Sequence, residues 1–212
     1  MNWLVTFLTV SVMAAQIYRA PQILVTDFET TPGYLGGKPE IWGAAYPLSN
    51  FMTLFSPDFN PSFVHSGSSS FKLVNSPRAK EDWGSFSINL GPILDAKTDP
   101  ITIRAIDVSH YKYFTFWIRG GKGGERFKII FRDAHSQSYL PTLNYTPPNN
   151  TVTTEWKQVD VPIHQLEPYS QKYEKRGLDL TQLVVVGIEF GDSTGNTRGD
   201  TLYIDDLSFR RD

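Results

Sequence analysis

Read as alternating apolar and polar positions, the chain divides into short strands separated by turn-forming clusters. The clearest strand is YKYFTFWIRGG (111–121). Phe114, Phe116 and Ile118 share one face there, and Tyr113, Thr115, Trp117 and Arg119 share the other. RFKIIFRD (126–133) repeats the pattern, setting Phe127, Ile129 and Phe131 against Lys128, Ile130 and Arg132. SFKLVN (70–75) opposes Phe71 and Leu73 to Lys72 and Val74, and WGSFSINL (83–90) alternates likewise. QILVTDF (22–28), EWKQVDVP (155–162), LVVVGIEFG (183–191) and TLYIDDLSF (201–209) complete the set. The stretch 32–50 carries four Gly and three Pro and reads as loop. No segment holds an apolar 3.6-residue period beyond one turn near His164 to Leu166. Strands at this spacing predict an all-β domain of two packed antiparallel sheets.

Composition narrows what such a domain does. A chain of 212 residues has room for one sizeable core, and 14 Phe, 10 Tyr and 5 Trp supply it. Lys plus Arg is 20 against 22 for Asp plus Glu, so the formal charge of −2 offers no bulk attraction to nucleic acid or anionic lipid. The absence of cysteine excludes disulfides, thiolate metal sites and thiol nucleophiles. His65, His110, His135 and His164 are not within metal-ligand spacing of one another, and there is no G-x-S-x-G, H-E-x-x-H or P-loop. Asp133 and Glu189 are the only pair to nominate for glycosidase chemistry, which needs carboxyls about 5–5.5 or 6.5–9.5 Å apart. The balance favours binding over catalysis.

Trp3 to Ala15 form an uncharged apolar run that would span about 20 Å as helix, short of the ~30 Å needed for a stable membrane span. Val12-Met13-Ala14 fits a cleavage site, so residues 1–15 read as a signal peptide and 16–212 as one secreted domain. The alternative is a buried first strand or helix. Oligomeric state is left open.

Several phrases occur in a telling order: VTDFET, SGSSSFKLV, DWGSFSINL, DVSHYKYFTFWIRGGKGGERFKIIFRD, EWKQVDVPIHQL, LTQLVVVGIEFG and GDTLYIDDLSF. Together they resemble the galactose-binding-like jelly rolls, in particular family-eleven carbohydrate-binding modules and the related complex I intermediate-associated family. The resemblance covers about residues 22 to 210. It implies a jelly-roll β-sandwich that binds a polysaccharide or surface glycan without cleaving it. A structural or protein-interaction domain is the alternative. A jelly-roll lyase, suggested faintly by Tyr173, Arg176 and Gln171, is the third reading.

Sugar rings present C–H faces and rows of hydroxyls, so a binder needs aromatic platforms beside planar polar side chains. The resemblance places such a cleft on a concave sheet, with Trp42, Trp83, Tyr169, Tyr173 and Arg176 at its rim and Arg132 and Glu189 on its strands. Arg132 and Glu189 could equally neutralise each other across strands. Trp117 and Trp156 fit core or sheet packing better. Gly187 and Phe190 stand where the family pattern implies polar or tyrosine contacts, and Asp82 stands where it implies a tyrosine. Asp27 and Glu29 share a face by period two, and Asp205 lies in the last strand. The resemblance makes first and last strands neighbours, so Asp27, Glu29 and Asp205 would hold a structural Ca2+ with carbonyls of the 65–70 turn. The alternative has these acids solvated or paired with Lys72 or Arg210.

Overall fold

The computed structural model describes residues 20–31, 33–42, 53–76, 85–91, 93–95, 102–135, 138–141, 152–168 and 177–212. Among these, the strands in chain order are β1 (Gln22–Thr26), β2 (Pro39–Trp42), β3 (Thr53–Asp58), β4 (Ser70–Asn75), β5 (Ser85–Asn89), β6 (Ile93–Asp95) and β7 (Thr102–Ile103). They continue with β8 (Tyr113–Gly120), β9 (Lys128–Asp133), β10 (Ser138–Pro141), β11 (Lys157–Pro162), β12 (Leu166–Pro168), β13 (Leu183–Glu189) and β14 (Thr201–Arg210). The helical segments among the described residues are single 3-10 turns, and no helix there is long and apolar enough to cross a membrane.

Two six-stranded antiparallel sheets form the sandwich, and β6 and β7 make a separate ribbon. The first sheet runs β11-β8-β14-β4-β3, with β1 also on β14. The ten-residue β14 organises it. Thr201–Ile204 pair with β4, the Leu207–Arg210 end pairs with β1, and β8 runs along the other flank. The second sheet runs β12-β10-β9-β13-β5-β2.

Alternation decides which faces meet. Phe114, Phe116 and Ile118 of β8 and Ile129 and Phe131 of β9 are buried in one core. Rings interlock across the gap: Phe114 meets Phe131 edge-on at 5.7 Å, and Phe116 meets Phe127 at 5.9 Å. At the other end Phe71 of β4 lies 5.2 Å from Phe86 of β5. Each fully buried ring contributes about 1.5–3 kcal/mol relative to exposure. That core does the work which the missing disulfides cannot.

The eight patterned strands are all present: β4 keeps the expected bounds, β14 runs one residue further, to Arg210, and the others lose one or two residues at one or both ends. The stretch 32–50 is not all loop, because Pro39–Trp42 forms β2 at the edge of the second sheet, paired with β5. Proline is tolerated there as the first residue of an edge strand. A single turn closes near His164, with the Gln165 amide donating to the Pro162 carbonyl at 3.3 Å, and leads into the short strand β12, paired with β10.

Candidate functional site

The inward residues of the second sheet define its outer face by subtraction. Phe86 and Ile88, Ile129 and Phe131, and Val186, Ile188 and Phe190 lie in the core. Ser87 and Asn89, Ile130 and Arg132, and Val185, Gly187 and Glu189 therefore face outward. Register aligns them in three rows. Glu189 stands between Ser85 and Lys128, Gly187 between Ser87 and Ile130, and Val185 between Asn89 and Arg132. β2 extends two rows, with Trp42 opposite Ser85 and Glu40 opposite Ser87.

The centre of this face is polar and buried. Glu189 is 6% exposed, and its Oε1 lies 3.3 Å from the Lys128 ammonium. Ser87 and Asn89 are 2% and 0% exposed. Yet the Ser87 hydroxyl and both amide atoms of Asn89 have no hydrogen-bond partner. Buried polar groups are ordinarily paired, so three unpaired atoms on two adjacent outward positions mark this strand as chemically incomplete.

Of the residues expected to touch sugar, Arg132 and Glu189 share this face and are not partners. Register sets Arg132 against Val185 and gives Glu189 to Lys128. Trp42 enters through the backbone pairing of β2. Trp83, Tyr169, Tyr173 and Arg176 lie outside the described residues, as do Gln171 and Asp82. Phe190 is fully buried in the core. Trp117 is half-buried with His65 stacked on it at 3.8 Å, a sheet-packing role. Ser87, Asn89 and Lys128 were not singled out by their residue type. The signal that could have found them is the alternation of 85–89 and 128–133 itself.

The carboxylate pair nominated for hydrolysis is dispersed. Asp133 and Glu189 sit on neighbouring strands at opposite ends, Asp133 opposite Leu183 and Glu189 opposite Lys128. Six residues of strand separate those rows, about 20 Å, far beyond either glycosidase spacing. Asp133 instead accepts hydrogen bonds from the His135 and Asp179 amides at 2.9 and 3.1 Å and fastens two loops.

The expected cation ligands lie on the first sheet around the 65–69 turn. Asp27 accepts from the Tyr34 hydroxyl at 2.9 Å and from the Glu29 amide at 3.1 Å. Glu29 accepts from the Ser68 hydroxyl at 2.5 Å and from the Ser68 and Ser69 amides, each at 2.8 Å. These bonds, the Ser68 hydroxyl foremost, hold its carboxyl below the usual range. Gly67, at φ +66°, lies against that carboxylate, where a Cβ would collide. Asp205 is fully buried and accepts from the His65, Ser66 and Asp206 amides at 3.1, 3.3 and 2.9 Å. Burial, then the neighbouring Asp206, push it up to about 6. Asp206 adopts φ +52° where the pairing of β14 with β8 shifts, and its Oδ2 lies 2.7 Å from His65 Nδ1. His65, Asp205 and Asp206 bring potential ligand atoms within 4.8 Å of one another, and Asp27 and Glu29 are not in that set. Glu29 and Asp205 thus grip the same turn from two sides, through its amides. Lys72 and Arg210 pair elsewhere, with Asp58 at 4.0 Å and Asp160 at 3.2 Å.

Solved structures of similar fold include the family 30 carbohydrate-binding module of the cellulosomal cellulase Cel9D-Cel44B of Clostridium thermocellum. It is 20% identical with a TM-score of 0.56, over 90% of this chain and 98% of that one. The family 11 module of the cellulosomal cellulase Lic26A-Cel5E of Clostridium thermocellum is 12% identical with a TM-score of 0.53, over 90% and 95%. The agarase AgWH50C is 11% identical with a TM-score of 0.51, over 91% of this chain and 25% of that one. Comparison with curated proteins finds no match. The sequence matches carbohydrate binding domain 30 over residues 59–211, well over half of the chain. Together with the jelly-roll sandwich and the dispersed carboxylates, that match settles the identity: the chain belongs to the carbohydrate binding domain 30 family and is a non-catalytic carbohydrate-binding module.

Proposed function

We propose that the module holds its glycan on the outer face of the second sheet, over β5, β13 and β9. The observation that carries this reading is the polar outward register of these strands, with the Lys128–Glu189 pair in one row and Arg132 in another. Trp42, and Trp83, Tyr169, Tyr173 and Arg176 from the flanking segments, are assigned to the rim as aromatic and cationic contacts. The ligand class is a β-linked polysaccharide. One family 11 relative is described in complex with a beta-1,3-1,4-mixed-linked tetrasaccharide, which makes that compound a natural first probe.

The reading includes a structural calcium at Asp205, with Asp27 and Glu29 nearby. A cation would offset the cost of ionising a buried carboxylate beside Asp206. The donor set supports it best at Asp205 and Asp206, since Glu29 is already saturated by turn donors. The apolar leader is assigned to export.

Isothermal titration of the purified chain against soluble neutral β-glucans tests the binding reading. Saturable binding that Trp83→Ala or Tyr173→Ala abolishes supports it, and silence across the panel contradicts it. A melting temperature that rises with calcium and falls with a chelator supports the cation, and one indifferent to both removes it.

A further inference from the structure

Asp58, Asp160, Asp192, Asp200 and Glu189 are each matched by a Lys or Arg within 4.0 Å. Asp205 and Asp206 are treated otherwise. They are consecutive carboxylates in the middle of β14, and among the described residues their one basic partner is the His65 imidazole. Asp205 is fully buried, and its carboxyl is met by the backbone amides of His65, Ser66 and Asp206. Amides favour a carboxylate without cancelling its charge. Two adjacent acids therefore face a single imidazole.

The three side chains converge. His65 Nδ1 lies 2.7 Å from Asp206 Oδ2, and one ligand atom from each of His65, Asp205 and Asp206 falls within 4.8 Å of the others. Two devices aim them. Asp206 sits at φ +52°, where the pairing of β14 with β8 shifts between Asp205 and Ser208. Consecutive carboxylates thus reach one place, where a regular strand would send them to opposite faces of the sheet. The His65 ring is stacked on Trp117 at 3.8 Å and met edge-on by Trp156 at 5.6 Å, which fixes the direction of Nδ1. Solvent reaches the group, because the His65 and Asp206 side chains keep 24% and 23% exposure.

We propose that His65 and Asp206, with Asp205 beside them, hold a first-row transition dication of the zinc class. This goes beyond the calcium reading, which draws on oxygen donors. An imidazole nitrogen joined to carboxylates suits zinc, copper or nickel, whereas calcium takes oxygen ligands. Tetrahedral zinc sets its nitrogen and oxygen ligands about 3.3 Å apart. Parting His65 Nδ1 from Asp206 Oδ2 by roughly half an ångström therefore admits the ion in place of the proton they share. That proton leaves to solvent, and His65 coordinates as the neutral ring and Asp206 as the carboxylate. Asp205 stays on its amides and supplies the second negative charge. Glu29 remains outside the set, its oxygens taken by Ser68 and Ser69. Bound there, the ion fastens the 59–66 segment to β14.

The test titrates the intact, chelator-stripped chain separately with Zn2+, Ni2+ and Ca2+, reading melting temperature and tryptophan fluorescence. Zn2+ is expected to raise the melting temperature saturably, and Ni2+ to quench Trp117, which is stacked on the ligand ring. His65→Phe keeps a ring on Trp117 and removes the nitrogen. Asp206→Asn suits the left-handed backbone and removes the charge. Each is expected to lose tenfold or more in zinc affinity, together with the Ni2+ quenching. His135→Gln, at the exposed His135–Asp179 pair 3.7 Å apart, is expected to bind zinc as wild type. Wild type indifferent to zinc overturns the proposal, as does a zinc response that survives in either folded variant or disappears in His135→Gln. If neither variant folds, zinc-induced amide shifts of wild type centred on residues 65, 205 and 206 support the site, and shifts centred elsewhere overturn it. Wild type that responds to calcium and not to zinc removes this site and leaves the calcium reading standing. A response to zinc and not to calcium does the reverse.

Discussion

The two sheets are built by the same alternation, and their outer faces are completed differently. On the first sheet the chain covers itself. Phe63 lies flat on Tyr203 with ring centroids 4.5 Å apart, His65 covers Trp117, and the Arg119 guanidinium sits 4.9 Å from the Phe63 ring. Polar groups there find each other: Gln158 donates to Thr115 at 2.9 Å, Gln22 to Ser208 at 2.7 Å, and Arg210 to Asp160 at 3.2 Å. On the second sheet the hydroxyl of Ser87 and the amide of Asn89 find nothing, and Gly187 offers only backbone. Described aromatic stacking is thus concentrated where the chain fastens its own 59–66 segment. Buried polar atoms without a hydrogen-bond partner occur on both sheets among the described residues: Asn75 Oδ1, Arg119 Nε and Arg210 Nε on the first, the Ser87 hydroxyl and the Asn89 amide on the second. What sets the first sheet's outer face apart is the aromatic cover that the chain's own 59–66 segment lays on it.

The proposed function gives stability to the first face and recognition to the second, and substitutions can separate the two. The largest effect is expected from Tyr203→Ala. It removes a nearly fully buried ring from its stack with Phe63 and should cost about 3 kcal/mol in chemical denaturation while glycan affinity stays within about twofold. A comparable loss of affinity would show that the first sheet takes part in binding. Next comes Glu189→Gln, which keeps the shape of the side chain and removes the charge matched to Lys128. Affinity is expected to fall about tenfold, near 1.4 kcal/mol, by titration. Stability should change by no more than about 1 kcal/mol, because the Lys128 end of the pair is partly exposed.

The smallest effect concerns acid. Burial raises the Asp200 carboxyl, but the Lys122 ammonium at 2.7 Å and the Thr197 amide and hydroxyl outweigh it and hold the group below its usual value. A depressed carboxylate contributes stability that is present above its unfolded value of 3.8 and is lost as pH falls through the folded one. Asp200→Asn should therefore lower the melting temperature slightly at neutral pH and flatten its decline below about pH 4. An unchanged acid limb would remove Asp200 from the account of how the end of the first sheet is held.

Much of the sandwich was legible because core strands advertise themselves. Phe114, Phe116 and Ile118, or Phe127, Ile129 and Phe131, could only fold with those faces inward. The edge strands β2 and β3 were not legible, because Pro39 and Pro57 read as breakers and an edge position excuses them. Within the site, Glu189 stood out as a charge flanked by Ile188 and Phe190, and alternation placed it correctly. Its partner did not follow, since Lys128 and Arg132 are equally plausible until register chooses. Ser87 and Asn89 lay in a strand that was recognised, but small neutral residues carry no signal until burial shows them unpaired. Gly187 was read as lacking the family's ligand contact, and the structure sets it in the middle of β13 between Val186 and Ile188. The His65–Asp205–Asp206 cluster joins residues about 140 positions apart and needed the tertiary fold to be seen.

The most direct measurement of the central claim is backbone amide chemical-shift mapping of the intact chain as the mixed-linked tetrasaccharide is added. The account expects the largest shifts at Ser87, Asn89, Gly187 and Glu189, with Trp117, Gln158 and Tyr203 nearly still. Shifts centred on Trp117 and Gln158, with β5 and β13 silent, would place recognition on the wrong sheet and contradict it.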